Sequence, residues 1–189
     1  MSGRVLVTGA SGFVGKALVA SLRRDGRPVR AAIRNPAAQS MPEGAEAVAI
    51  PDLAEAVDWW PLLDGVDAVV HLAGIAHVGP DVDPDLYDGV NHIATANLVA
   101  ACAEAGVRRF VFMSSVRAQS GPAAPHVLSE RDEPQPSEPY GASKLQAEAA
   151  AQASCGPWTI LRPAMLYGPG VKRILARLDA PRASPDSLP

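Results

Sequence analysis

The chain has 189 residues, 48% of them hydrophobic and 20% charged, a formal net charge of −3 and a mean hydropathy of +0.05. That is enough apolar material for one domain with a core, and the absence of any basic stripe argues against a nucleic-acid or acidic-polymer partner. The first apolar run, Val5 to Val7, is too short for a membrane span and no secretory leader precedes it, so no membrane partner and a cytoplasmic location are expected.

In chain order the pattern alternates strand and helix. Arg4–Thr8 reads as a strand. Phe13–Asp25 has helical spacing, with Val14, Leu18 and Leu22 on one face. Val29–Ile33 and Ala47–Ile50 read as strands, as does Asp67–Leu72. Tyr87–Ala105 is a long helix, Arg109–Met113 a strand, Tyr140–Ser154 a helix and Thr159–Arg162 a last strand. The strands are apolar almost throughout, which implies a sheet covered on both faces. Strand–helix alternation implies parallel pairing with right-handed crossovers. The expected fold class is therefore α/β, a Rossmann-type doubly wound parallel sheet with helices on both faces. Gln119–Pro139, rich in Pro, Ser and acidic residues, reads as a loop, and the tail falls into Pro, Ser and Asp composition.

The turn between the first strand and first helix reads Gly9-Ala10-Ser11-Gly12-Phe13-Val14-Gly15. Gly9 permits a tight turn, Gly12 lets the backbone approach a pyrophosphate and Gly15 lets helix and strand pack closely. The helix start then offers N–H groups and the positive end of its dipole to phosphates.

The end of the second strand reads Ile33-Arg34-Asn35, with no acidic residue to take a ribose 2′-hydroxyl. Arg34 there leans towards the 2′-phosphate of NADP, although a solvated surface arginine gives the same pattern. Asp52-Leu53, after the third strand, resembles the adenine-edge pair of a dinucleotide-binding family; read from the residues alone, Asp52 is equally a helix N-cap before Leu53–Val57.

Tyr140 and Lys144 are four residues apart on a helix and share a face. A neighbouring ammonium lowers a phenol below its usual pKa of about 10, which suits proton exchange with a hydroxyl or carbonyl. Ser114 and Ser115 stand at the end of the fifth strand.

A Gly-x-x-Gly-x-x-Gly turn, a strand-end Ser and a later Tyr-x-x-x-Lys resemble the extended short-chain dehydrogenases/reductases, the NAD(P)-dependent epimerase/dehydratase family with its UDP-glucose 4-epimerase-like members. His71-Leu72-Ala73-Gly74, Val90-Asn91 through Asn97-Leu98, and Arg162-Pro163 through Gly168-Pro169-Gly170 resemble further family segments. The resemblance covers residues 4 to about 172.

It implies a nicotinamide dinucleotide, NAD or NADP, lying against Gly9, Ser11, Gly12, Phe13, Val14, Gly15, Arg34, Asp52, Leu53, Leu72, Ala73, Gly74, Asn91, Ser114, Lys144, Pro163 and Leu166. It implies Tyr140 as the proton-transfer residue, Lys144 as its partner on the nicotinamide ribose, and a Ser that orients the substrate oxygen. Counting back from Gly121 puts the family's hydroxyl on Val116; Ser115, one residue earlier, is assigned the role. Val116 and Arg117 stand where the dehydratases carry an acidic residue, which disfavours that branch.

The resemblance thus implies a nucleotide-sugar 4-epimerase-type oxidoreductase or isomerase, with a nucleotide sugar as substrate. The alternatives are an NADPH-dependent keto-sugar or carbonyl reductase and an inactive dinucleotide-binding fragment. An epimerase would retain NAD, against the lean from Arg34. A homodimer through the Asn91 and Tyr140 helices is expected.

Taken alone, His71 reads as a satisfied core histidine, His77 as a loop residue that could face the site, and Tyr167 as a packing aromatic. Cys102 and Cys155 have no metal-like spacing and read as reduced thiols. No metal is expected. Family members continue well past this point, so residues 1–172 are expected to form the dinucleotide-binding domain with most of the substrate domain missing. Residues 173–189 are expected to be a disordered or non-native tail.

Overall fold

A computed structural model describes residues 3–39, 41–76, 82–124, 126–153 and 156–168. Among the described residues there are six strands: β1 (Arg4–Thr8), β2 (Val29–Ile33), β3 (Glu46–Ala49), β4 (Val66–His71), β5 (Arg109–Met113) and β6 (Trp158–Leu161). Every neighbouring pair is parallel and the order is β3-β2-β1-β4-β5-β6. The chain starts at the centre, runs outward one way through β3, then returns to lay β4 beside β1. The strand order reverses between β1 and β4, and a crevice opens there at the strands' carboxyl ends.

The helices are α1 (Phe13–Arg24), α2 (Trp60–Leu63), α3 (Pro84–Tyr87), α4 (Ala94–Glu104) and α5 (Pro139–Gln152). Strand periodicity divides the core. Val5 and Val7 point with Ala31 and Ile33 to the side covered by α1 through Val19. Leu6, between them, points with Val69 and Phe112 to the side covered by α4 and α5 through Leu98, Ala147 and Ala151. On the α1 side, Val111 and Met113 of β5 stay half-buried.

Element boundaries differ from the sequence reading by a residue or two. The short helix α2 is not legible from periodicity. It is held because the buried Arg30 of β2 donates to the carbonyls of Leu62 (2.8 Å) and Asp64 (3.0 Å) at its end. The expected helix from Tyr87 to Ala105 begins earlier, with α3 at Pro84, and holds a π-helical stretch at Asp88–Ile93 before α4. No helix forms at Leu53–Val57; Asp52 caps only a turn, accepting from the Ala54 N–H at 3.0 Å. The described part of Gln119–Pro139 is without helix or strand up to Pro139, where α5 starts. His77, Cys155, Pro169, Gly170 and the expected tail lie outside the described residues.

Candidate active site

The turn after β1 is shaped by its glycines. Gly9 has φ +64°, and a Cβ on it would lie 2.7 Å from the Ala73 nitrogen, so the turn lies directly on the segment after β4. A Cβ on Gly15 would lie 2.2 Å from the Gly9 carbonyl oxygen and 2.6 Å from the Ala10 Cα. The first turn of α1 can therefore sit against β1 only because residue 15 has no side chain. Gly12 is the N-cap, and no side chain caps this helix. Its first N–H groups are thus left for a ligand or solvent.

Two cavities meet at this turn. One, of about 250 Å³, runs from Gly9, Ser11 and Gly12 to Arg34, Asp52 and Leu53, with Leu72, Ala73 and Gly74 along its wall. The other, of about 640 Å³, holds Phe13, Val14, Gly15, Ser114, Ser115, Arg117, Tyr140, Lys144, Pro163 and Leu166. They share Gly9, Gly12, Leu72, Gly74 and Ile75 and so form one cleft across the point where strand order reverses. The cleft gathers every expected site residue except Asn91.

At the first end, Arg34 donates to the Asp52 carboxylate at 3.0 Å. Asp52 is held below its usual pKa by the hydrogen bond from Ala54 N–H and by Arg34. Arg34 is therefore neither a lone surface arginine nor an uncommitted phosphate ligand. It faces an anion of its own chain.

At the other end, Ser115 and Tyr140 line the same cavity, and the Ser115 hydroxyl lowers the pKa of the phenol. Ser115 lines this cavity, whereas Val116, the position counted back from Gly121, does not. The approach depends on Gly141, where a Cβ would lie 2.3 Å from the Arg117 carbonyl oxygen. That close contact lets the turn Val116–Ala118 sit on the start of α5. Arg117 also donates to Glu138 at 2.8 Å, tying the same two segments together.

The pKa of Tyr140 differs from the sequence expectation. Burial raises it above the ordinary phenol value, and Ser115 and Arg117 lower it only in part. Lys144 is not among the groups that shift Tyr140; it is itself buried, 4.4 Å from the centre of the Phe112 ring. Burial brings Lys144 down to about 8, with Glu148 opposing that fall.

Behind Lys144 lies a polar cluster that sequence inspection missed. Glu148, buried one helical turn further along α5, accepts from Ser114 Oγ and from Arg162 Nε, the latter at 2.8 Å. Arg162 also donates to Gln119. Only the four-residue step from Lys144 to Glu148 could have signalled it. Asn91 does not line the cleft. It is buried, accepts from Ile75 N–H at 2.9 Å, and donates to the Ile75 carbonyl at 3.0 Å and to Ser143 Oγ at 3.2 Å. It braces the cleft wall from behind. Among the described residues, no group of three or more His, Cys, Asp or Glu could hold a metal ion, and no helix is long and apolar enough to cross a membrane.

A parallel sheet in this order, with a glycine turn at the point of reversal, defines a doubly wound dinucleotide-binding fold. The profile of the NAD dependent epimerase/dehydratase family matches residues 5–180, and the chain belongs to that family. It is 35% identical over 183 residues to a UDP-glucose 4-epimerase of Vibrio cholerae, covering 92% of this chain and 55% of that protein. It is 35% identical over 185 residues to a 2-alkyl-3-oxoalkanoate reductase of Stenotrophomonas maltophilia, covering 93% and 54%. Among solved structures it is similar to MoeE5 in complex with UDP-glucuronic acid and NAD, at 38% identity and a TM-score of 0.75, covering 90% of this chain and 57% of that one. It is also similar to the UDP-glucuronic acid 4-epimerase from Bacillus cereus in complex with NAD, at 27% identity and a TM-score of 0.72, covering 88% and 57%. The chain spans about half the length of the curated relatives it matches.

Proposed function

We propose that this chain carries the dinucleotide site and the proton-transfer group of a nucleotide-sugar 4-epimerase-type oxidoreductase. The observation that carries the reading is the gathering of Ser115, Tyr140 and Lys144 in one cleft with the uncapped glycine turn. The residues present suit a nicotinamide dinucleotide. Gly9, Ser11, Gly12, Phe13, Val14 and Gly15 form a backbone cradle that a Cβ at Gly15 would destroy, and Arg34, Asp52 and Leu53 close the adenosine end. Leu72, Ala73, Gly74, Ser114, Pro163 and Leu166 would flank the dinucleotide, with Asn91 supporting the wall. Such a group, when bound, supplies the two-electron acceptor and donor for the sugar C4 position.

The chain's own residues handle the proton. Tyr140 takes it from the sugar 4-hydroxyl and returns it, Ser115 holds the 4-oxygen, and Lys144 orients the ribose and Tyr140. The raised pKa of Tyr140 leaves it a protonated phenol at neutral pH. That favours a second reading, an NADPH-dependent keto-sugar or carbonyl reductase, in which the phenol acts as general acid. Arg34 supports NADP in that reading, whereas its pairing with Asp52 supports NAD. A third reading, a dinucleotide-binding fragment without turnover, draws on the half-length coverage of the relatives.

The same proposal assigns residues 1–172 to the dinucleotide-binding domain, a cytoplasmic location, and a homodimer through the helices that carry Asn91 and Tyr140. Interconversion of UDP-glucose and UDP-galactose without net cofactor change would support the epimerase. Steady NADPH consumption with a keto-sugar would replace it by the reductase. Silence in both, with dinucleotide binding retained, would leave the fragment.

A further inference from the structure

One buried histidine lies between the glycine turn and the proton-transfer helix. His71 ends β4, is fully buried, and contacts two hydroxyls: Thr8 Oγ1 at 2.7 Å from Nδ1, and Thr95 Oγ1 at 3.0 Å from Nε2. Both hydroxyls are also fully buried. Their remaining bonds fix the protons. Thr8 Oγ1 already accepts from the N–H groups of Leu72 and Ala73, both at 3.2 Å, which occupies its two lone pairs. Its own proton must therefore go to His71 Nδ1. At the far end, Thr95 donates its proton to the Asn91 carbonyl at 2.6 Å. Its oxygen must then accept from His71 Nε2. The two ends demand the same tautomer, Nε2–H, independently.

The chain of bonds runs on. Asn91 donates to Ser143 Oγ, and Ser143 donates to the Tyr140 carbonyl at 2.8 Å. Thr8 immediately precedes Gly9, whose turn lies on Ala73. A charged imidazole is excluded here: burial and the nearby Lys144 ammonium bring His71 down to about 3. The ring stacks against Phe112, at 5.8 Å and 18° between planes, and the same Phe112 ring lies under Lys144.

We propose that His71, as its neutral Nε2–H tautomer, is a positioning residue. It passes the setting of the glycine turn, through Thr95 and Asn91, to the helix that presents Tyr140 and Lys144. The coupling rests on the dinucleotide reading given above; the tautomer does not. The path crosses the π-helical stretch Asp88–Ile93, whose Asn91 carbonyl accepts the hydrogen bond from Thr95.

The test is nuclear magnetic resonance on this chain with adenosine diphosphate, a probe that can fill the turn but carries no nicotinamide to touch Tyr140 directly. A long-range proton–nitrogen spectrum should show a pyridine-like Nδ1 and a pyrrole-like Nε2 for His71. Addition of the probe should shift the amides of Gly9 to Gly15 and also those of Asn91, Ser143 and Tyr140. In Thr95→Val the turn shifts should remain and the distant ones disappear; Thr95→Ser, which keeps the hydroxyl, should restore them. An Nδ1–H tautomer, or a Tyr140 response unchanged in Thr95→Val, overturns the relay alone. No probe-induced shift at Gly9 to Gly15 in the parent chain overturns the dinucleotide reading, and the coupling with it, while the tautomer still stands or falls by its own spectrum.

Discussion

The Lys144 ammonium lies 4.4 Å from the centre of the Phe112 ring, inside the protein, with its pKa brought down to about 8 by burial. A cation over an aromatic face gains some attraction, but less than the water it has lost. The sign of the linkage follows. Between about pH 8 and the unfolded value of about 10.5, the unfolded chain holds a proton on Lys144 that the folded chain has released. This group therefore costs stability at pH 7, by about 3 kcal/mol, and that cost fades as pH rises through the window. Lys144→Met should be at least as stable as the parent at pH 7, and its advantage should shrink from pH 8 to pH 10. Denaturant unfolding of both proteins across that range checks it; an advantage that grows with pH refutes the burial argument.

Ser115 lowers a phenol that burial has raised. Ser115→Ala removes that help, so the Tyr140 pKa should rise further. Where turnover is measured, the limb of the pH–rate profile that belongs to Tyr140 should move to higher pH, whether the phenol serves as acid or as base. Tyr140→Phe should cut kcat by about 10²- to 10⁴-fold, the usual worth of a general acid–base group. A limb that moves to lower pH in Ser115→Ala would count against that influence of Ser115 on the phenol.

Gly15 and Gly141 are both positions where a Cβ would meet backbone, but they serve different ends of the cleft. Gly15→Ala should force α1 away from β1, at about 1–3 kcal/mol of stability, and abolish dinucleotide binding. Gly141→Ala should push the Val116–Ala118 turn off α5 and move Ser115 away from Tyr140. Dinucleotide affinity should then survive while turnover falls. Calorimetric titration with NAD, run beside an activity assay, separates the two; equal loss of binding in both variants would show that the ends are not independent.

The exposed Arg34–Asp52 pair contributes little to stability, about 1 kcal/mol at most. Its effect should appear in cofactor choice. Asp52→Asn frees Arg34 and removes a carboxylate from the end of the cleft proposed to take the adenosine. The ratio of NADP to NAD affinity should rise by about tenfold, in line with one recovered charge contact. Competition binding of the two dinucleotides measures it, and an unchanged ratio would remove Arg34 from the site.

Much of this was legible because the signals are local. The run from Thr8 through Gly15 carries its own turn geometry, and apolar runs locate the six described strands within a residue or two. Tyr140 and Lys144 needed only helical periodicity. The sequence count is ambiguous at the strand-end hydroxyl, since spacing to Gly121 favours Val116, whereas it is Ser115 that lines the cavity with Tyr140. Helix α2 escaped because four residues make no period, and what holds it is an arginine from β2.

The amino-acid order by itself determined the alternation, the glycine turn and the pairing of phenol with ammonium, because each depends on neighbours a few residues apart. Tertiary structure alone decided the rest. It set the strand order that opens the crevice between β1 and β4. It brought Asp52 to Arg34, Glu148 to Ser114 and Arg162, and His71 between Thr8 and Thr95. It also reversed the expected direction of the Tyr140 pKa. Those outcomes depend on burial and on contacts between segments far apart in the chain. The energy of a charge or hydrogen bond is set by the medium and partners that folding gathers around it, and these leave no periodic trace in the order of residues.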